Sequence, residues 1–402
     1  MLISFVAFSL GFAVWGMFSA LAPFLIKWYS FSATQVLVLA AMEPFFAAAV
    51  SIPLGVVTDK YGGRAVFALL LLVLTASLLF GLFAHGYYAL LLVGSLLGLG
   101  GASFVVGNAH VASWYPKSKQ GTALGIFALG NIGITVGMMT VTYLVTHALR
   151  GPEAWRMIFP IFAVATALMA VVYWLFTSDS PYGEHKGASF REIAAVYRSG
   201  AVVWLVPYLY WVSFGTLTFF ASSMPTYLVD RWHVDAVGAS MLYTPLLVLL
   251  VAITRPLGGW LSDRFDPLRI LAWMFGVMVV LTVLLTMQFS LAHELFAIYG
   301  LALLAGTTAA AVVKLIPMYF RQVGAVSGLA KAAGAACGFT MTITLAASKN
   351  LLGGYTVGFA IWALMNAAAF YIAFSRVGFR NAKTTTETVH PIDVRVGVHG
   401  QA

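Results

Sequence analysis

Charge is what this chain has least of. Only 9% of its 402 residues are Asp, Glu, Lys or Arg, against about 25% in an ordinary soluble domain, so the soluble globular class is excluded. Acidic residues are the scarcer kind, 13 against 22 Lys and Arg. Cysteine occurs once, as Cys337, which rules out a disulfide framework within the chain. Strand-length alternating segments are missing, which removes a β-barrel from consideration. The chain also lacks a His-Glu-x-x-His pair, a Gly-x-Ser-x-Gly elbow, a phosphate-binding loop and any Cys/His cluster at metal spacing. No enzyme, no cofactor, no metal site and no direct use of ATP is therefore expected.

Apolar length is what the chain does have. Hydrophobic residues make up 61% of it, in recurring runs of about 20 residues, the length that crosses a bilayer as a helix. Twelve spans fit, at 3–26, 34–58, 65–85, 87–113, 121–147, 157–177, 202–229, 236–261, 268–290, 294–317, 324–348 and 355–376. Aromatic pairs suited to the headgroup layer mark several ends, among them Trp28-Tyr29, Tyr87-Tyr88 and Trp114-Tyr115. Residues 3–26 have no basic segment before them and no small-residue cleavage site, so they read as the first helix rather than a signal peptide. The expectation is an all-α membrane protein embedded in the lipid bilayer. Its net charge of +9 is spread through short loops, which argues against a nucleic-acid partner.

The one long polar interruption, 178–201, divides the spans six and six. Residues 1–177 and 202–376 are accordingly expected to form two six-helix bundles, with 178–201 as a cytoplasmic linker. From 377 to 402 the sequence is polar and without periodicity, as in a disordered tail. Placing both termini in the cytoplasm puts most Lys and Arg on that side, including Lys60, Arg64, Lys117, Lys119, Arg264 and Arg269. Only Lys27, Arg150, Arg156, Arg231 and Lys349 face the other way. The bias toward positive charge inside selects this orientation. A monomer in the inner (cytoplasmic) membrane is the expected state.

The halves repeat. Gly55-x-x-x-Asp59-Lys60 follows the second span and Gly259-x-x-x-Asp263-Arg264 follows the eighth, 204 residues later. Gly121 and Gly125 open the fifth span as Gly324 and Gly328 open the eleventh. Parallel six-helix repeats with a midplane site between them describe a transporter that rocks.

The segment Gly55-Val-Val-Thr-Asp59-Lys60-Tyr-Gly62-Gly63-Arg64 resembles the loop motif of the major facilitator superfamily after its second helix. A narrower resemblance lies in 98–137, with Gly98-Leu-Gly-Gly-Ala-Ser-Phe104, Gly121-Thr-Ala-Leu-Gly125 and Gly130-Asn131-Ile-Gly133. Arg255-Pro-Leu-Gly-Gly-Trp-Leu-Ser-Asp263 and Lys314-Leu-Ile-Pro317 carry it into the second half. These are similar to the signatures of the nitrate/nitrite porter family. The resemblance implies a planar anion held by two arginines, one each from the second and eighth helices. It assigns Arg255 as the eighth-helix arginine, Asn131 as a cavity amide, and Phe104, Tyr210 and Phe214 as cavity aromatics. The 204-residue offset places Ser51 where the second-helix arginine belongs, so that arginine is missing. Lys331 stands in the eleventh span where the family usually has glycine.

Arg255 and Lys331 each lie about 10 Å inside the cytoplasmic ends of their spans, at ~1.5 Å per residue, and are expected to flank one cavity. A guanidinium near a bilayer centre costs at least roughly 2.5–3.5 kcal/mol, so it marks function by default. Lys331 is expected to replace part of the lost arginine, although an ammonium is a point charge and not a planar fork. Tyr210, Phe214 and Phe104 read equally as ordinary packing, and Asn131 has interhelical hydrogen bonding as its alternative, although its flanking Gly130 and Gly133 favour cavity lining. Lys314, about a turn from the interface, is expected to snorkel, and His110 to lie at the interface. Glu43, the one acidic residue deep in a span, is a candidate for proton coupling. Asp59, Lys60, Arg64, Asp263 and Arg264 are expected to gate the cytoplasmic side. The sequence thus points to a secondary transporter of a small anion, nitrate or nitrite first and a small carboxylate second, with protons or a counter-anion as partner. A transporter-like sensor that moves nothing is the alternative of another class.

Overall fold

Apolar stretches too long for one face of a soluble helix must satisfy their backbone groups internally, and helices do so within a single segment. The computed structural model describes the backbone of residues 1–115, 117–149, 153–181, 198, 200–320 and 323–380; side chains at 59, 117–122, 317 and 323–325 fall outside the description. Most of the linker, at 182–197 and 199, and the tail from 381 lie outside it too. Among the described residues twelve helices are long and apolar enough to cross a membrane. They are α1 (Leu2–Tyr29), α2 (Ala33–Thr58), α3 (Gly63–Leu82), α4 (Gly86–Ser113), α5 (Ala123–Ala148) and α6 (Ala154–Phe176). The second six are α7 (Val202–Trp232), α8 (Ala236–Arg264), α9 (Pro267–Met287), α10 (Leu291–Ile316), α11 (Val326–Leu352) and α12 (Thr356–Ser375). There is no strand among the described residues.

Packing within each half follows one plan. In the first half α3 lies on α6, α2 on α4, and α1 on α4 and α5; in the second α9 lies on α12, α8 on α10, and α7 on α10 and α11. Small residues set the close approaches, as is usual where lipid removes the hydrophobic drive between helices. A side chain at Gly137 of α5 would come within 2.6 Å of the Ala13 Cα on α1, so only glycine lets these two backbones meet. Between the halves, α2 packs on α11, α5 on α8, and the outer part of α1 on α7. Thr135 of α5 donates to the Pro245 carbonyl of α8 at 3.1 Å.

Among the described residues five spans are not continuous α-helices. α1 breaks at Gly16, between Leu2–Trp15 and Met17–Tyr29. α4 breaks at Gly98, between Gly86–Leu97 and Leu99–Ser113, and α6 opens with a 3-10 turn at Ala154–Met157. α5 passes through a 3-10 turn at Leu129–Asn131 and ends in a π turn at Leu144–Ala148. α8 begins with a π turn at Ala239–Tyr243. Such irregularities are tolerated at membrane depth where the backbone is enclosed by protein, and they concentrate at functional positions.

Candidate functional site

Arg255 lies on the face of α8 turned toward the protein interior, and its residue is only 9% exposed. Its Nη2 donates to the Tyr210 hydroxyl at 3.3 Å, and its guanidinium carbon lies 4.9 Å from the centre of the Phe214 ring. Tyr210 and Phe214, one turn apart on α7, stack with centroids 5.3 Å apart. They form a single plate under the guanidinium. Gly334 of α11 makes room for that plate, since a Cβ there would sit 2.8 Å from Phe214 Cδ1 and 3.1 Å from Tyr210 Cδ1. The Arg255 Nε has no hydrogen-bond acceptor, so part of the donor fork is unspent.

Lys331 stands one turn before Gly334 on α11. Its Nζ lies 3.6 Å from the centre of the Phe104 ring of α4, a cation–π contact that spans the two halves. Phe104 belongs to an aromatic group with Phe8 of α1 and Phe127 of α5, at 5.2 and 5.8 Å between centroids. Among the described residues neither Lys331 nor Arg255 forms an ion pair with a carboxylate. The arrangement is a dicationic pocket walled by aromatic faces, with no negative group of its own.

Asn131 completes the polar inventory. It ends the 3-10 turn of α5, is 0% exposed, and neither its Oδ1 nor its Nδ2 has a hydrogen-bond partner. Buried amides are rarely left so. The interhelical bond that stood as the alternative to cavity lining for this residue is not formed among the described residues. Ser51 is buried and returns its hydroxyl to the Ala47 carbonyl at 2.6 Å, so the position expected to hold an arginine is a self-satisfied serine.

Glu43 lies apart from this pocket. It is 0% exposed, and accepts from the Phe18 amide at 3.3 Å and the Ser19 hydroxyl at 3.4 Å, both on α1. It is not the only buried acid, however. Glu294, at the start of α10, is 1% exposed and accepts from Trp232 Nε1 at 2.7 Å and from the Tyr227 hydroxyl. Its place at a span boundary hid it in the sequence.

The cytoplasmic motifs resolve into contacts within each half. Asp179, just beyond α6, accepts the Arg64 backbone amide at 2.9 Å and so caps α3. Arg64 donates Nε and Nη2 to the Trp174 carbonyl at 2.9 and 2.6 Å, and lies 4.4 Å over the Trp174 ring. Gly62, with φ of 87°, leaves space for Asp179, and Gly63 for the His110 ring. His110 is therefore buried against the motif, 3.6 Å from Asp179, rather than lying at the interface as expected. Lys314, expected to snorkel, extends a partly exposed side chain to the end of α8 and pairs there with Asp263. His110 and Lys314 are separated by the same 204 residues as Asp59 and Asp263, so both halves place a nitrogen base beside this loop. Lys60 lies over the Tyr61 ring at 5.1 Å and Arg264 over Trp260 at 4.3 Å; the Asp59 side chain is outside the described residues. Asp179 is the residue that sequence reasoning missed. Its partner Arg64 lies 115 positions away, and no local pattern joins them.

Comparison with known proteins agrees with this geometry. The family model described as Major Facilitator Superfamily matches residues 3–342. The "Probable nitrate/nitrite antiporter NarK1" of Thermus thermophilus is 32% identical, with 92% of this chain and 89% of that protein covered. The "Nitrite extrusion protein" of Bacillus subtilis is 28% identical, with 94% of each covered. Among solved structures, a bacterial homologue of the human lysosomal transporter Spinster, in an inward-facing and unoccupied conformation, superposes with a TM-score of 0.73. It is 18% identical, and the match covers 96% of this chain and 98% of that one.

Proposed function

Because this chain belongs to the major facilitator superfamily, we propose that it is a secondary transporter of a small inorganic anion, nitrate or nitrite, working by alternating access. The observation that carries this reading is the pair of cations, Arg255 and Lys331, held between aromatic faces with no acidic partner among the described residues. A buried charge is retained where something opposite visits it. The printed names of the two relatives, a nitrate/nitrite antiporter and a nitrite extrusion protein, favour the same cargo.

In this cycle the anion meets the unspent guanidinium donors of Arg255, and Lys331, on the same half, leaves Phe104 of the opposite half to reach it. Asn131 supplies amide donors, while Tyr210, Phe214 and Phe104 stack on the planar ion and keep water out. Ser51 adds no charge. Residues 1–177 and 202–376 rock about the bound ion, tethered by 178–201, with 377–402 as a tail. Asp59, Lys60, Arg64, Asp263 and Arg264 control the cytoplasmic ends, where Lys314 steadies Asp263. The protein lies in the cytoplasmic membrane with both termini inside, acts as a monomer, and couples its cargo to protons or to a counter-anion; Glu43 is the acidic candidate.

One feature favours a second cargo. The α11 cation is an ammonium, which lacks the fork that reads two oxygens in one plane, so small carboxylates compete. Uptake of nitrate, nitrite, formate and oxalate into proteoliposomes separates the readings. Nitrate or nitrite entry at least ~10-fold faster than formate or oxalate supports the first; the reverse order moves the assignment to carboxylates, and no entry of any of them refutes transport of small anions.

A further inference from the structure

Glu43 is placed to do more than fill a core. The break at Gly16 divides α1 into an inner segment, Leu2–Trp15, and an outer one, Met17–Tyr29. Every helix start leaves amides without partners inside the helix. Phe18, the second residue of the outer segment, gives its free amide to Glu43 Oε1 at 3.3 Å, and Ser19 gives its hydroxyl to Oε2 at 3.4 Å. A carboxyl from α2 therefore caps the outer half of α1.

The two helices it joins are those that meet the opposite half. The residues following Glu43 pack directly on α11. Pro44 lies against Gly338, where a Cβ would stand 2.8 Å from the Pro44 Cβ, and the Phe45 ring is 4.8 Å from that of Phe339. The outer segment of α1 packs on α7 and on the π turn that opens α8. Glu43 thus links two of the contact lines along which the halves must part.

Among the described residues no charged group pairs with it. α1, α3, α4, α7 and α11 pack on α2, and their titratable groups face elsewhere. Arg64 is held by Trp174, His110 by Gly63 and Asp179, Tyr87 by the Gln35 carbonyl, Tyr208 by Met365, Tyr210 by Arg255, and Lys331 by Phe104. Cys337 lies on Gly215. Two long hydrogen bonds compensate an ionised carboxylate poorly when it is fully buried and without a cation, whereas a neutral carboxyl is at home there. When the halves part and water reaches α2, the ionised form becomes the favoured one.

We propose that Glu43 takes up one proton and releases it once per transport cycle, so that the anion crosses together with a proton, and that this proton sets how the outer half of α1 is capped. The proton adds to the carboxylate from water on one side and leaves from the same oxygen to water on the other. The inference rests on the anion-transport reading above.

The test uses the full chain in proteoliposomes with nitrate or nitrite inside and out, an internal pH dye, and the variants Glu43→Gln and Glu43→Asp. Glutamine keeps the shape and an acceptor but cannot titrate; aspartate still titrates. Wild type and Glu43→Asp are expected to accumulate the anion down a proton gradient and to acidify the dye compartment as they do so. Glu43→Gln is expected to keep anion-for-anion exchange within about threefold while losing gradient-driven accumulation at least tenfold, with no dye signal. Gradient-driven accumulation by Glu43→Gln overturns the proposal, as does loss of both activities in Glu43→Gln at an unchanged melting temperature. If wild type exchanges the anion with no proton signal, this inference alone falls; if it exchanges no anion, the transport reading falls with it.

Discussion

Replacing Lys331 by methionine, which keeps the length and removes the charge, is expected to move affinity and stability in opposite directions. An ammonium about 4 Å from an anion at an effective dielectric near 20 gains about 4 kcal/mol. Leaving the Phe104 ring gives back about 0.5–2 kcal/mol of cation–π energy. The difference, about 2–3.5 kcal/mol, corresponds to roughly 30–300-fold weaker anion binding at about 1.4 kcal/mol per decade. The cost of enclosing an ammonium that has no carboxylate partner among the described residues is borne with or without cargo, so it cancels from binding but not from folding. The empty Lys331→Met protein should therefore melt higher than the wild type. Calorimetric nitrate or nitrite titration of the purified protein, with thermal unfolding of the empty form, measures both. Affinity within about threefold of wild type, together with an unchanged or lower melting temperature, would refute the dicationic pocket.

Asn131→Leu removes an amide whose two polar atoms are buried without partners, so the empty protein should be as stable or more stable while anion affinity falls; lower stability would reveal an interhelical bond instead. Gly62→Ala forces a side chain onto φ of 87° against Asp179, at about 1–3 kcal/mol for the backbone alone, and thermal unfolding in detergent should show the loss; an unchanged melting temperature would contradict the packing of this loop. Lys314→Ala breaks a half-exposed pair with Asp263, and a stability change under about 1 kcal/mol is expected; a change of several kcal/mol would mean the pair holds the fold together.

The spans were legible because hydropathy over about 20 residues reports only length and polarity, which a bilayer enforces directly. The 202–229 span runs on to Trp232 because Arg231 and Trp232 remain helical until His233 turns left-handed at φ of 53°. Arg255 was legible for the same reason as the spans, being a charge where none is cheap. The breaks at Gly16 and Leu129–Asn131 were not, since glycine is ordinary in a membrane helix and nothing local tells a packed one from a hinge. The Glu43 cap, the Asp179 cap on α3 and the Lys314–Asp263 pair all depend on which helices meet. His110 and Lys314 each looked like a lone basic residue near an interface, and their common role becomes visible only beside the loops they contact.

The central claim is that Arg255 holds a nitrate-class anion at the meeting of the two halves. Counterflow of labelled nitrite against unlabelled nitrate in proteoliposomes, wild type beside Arg255→Ala and Arg255→Lys, tests it most directly. Truncating one partner of a buried charged pair costs about 2–5 kcal/mol, so Arg255→Ala should lose at least ~30-fold in apparent affinity, with only partial recovery in Arg255→Lys, which keeps the charge but not the fork. Counterflow by Arg255→Ala at the wild-type affinity would contradict the account.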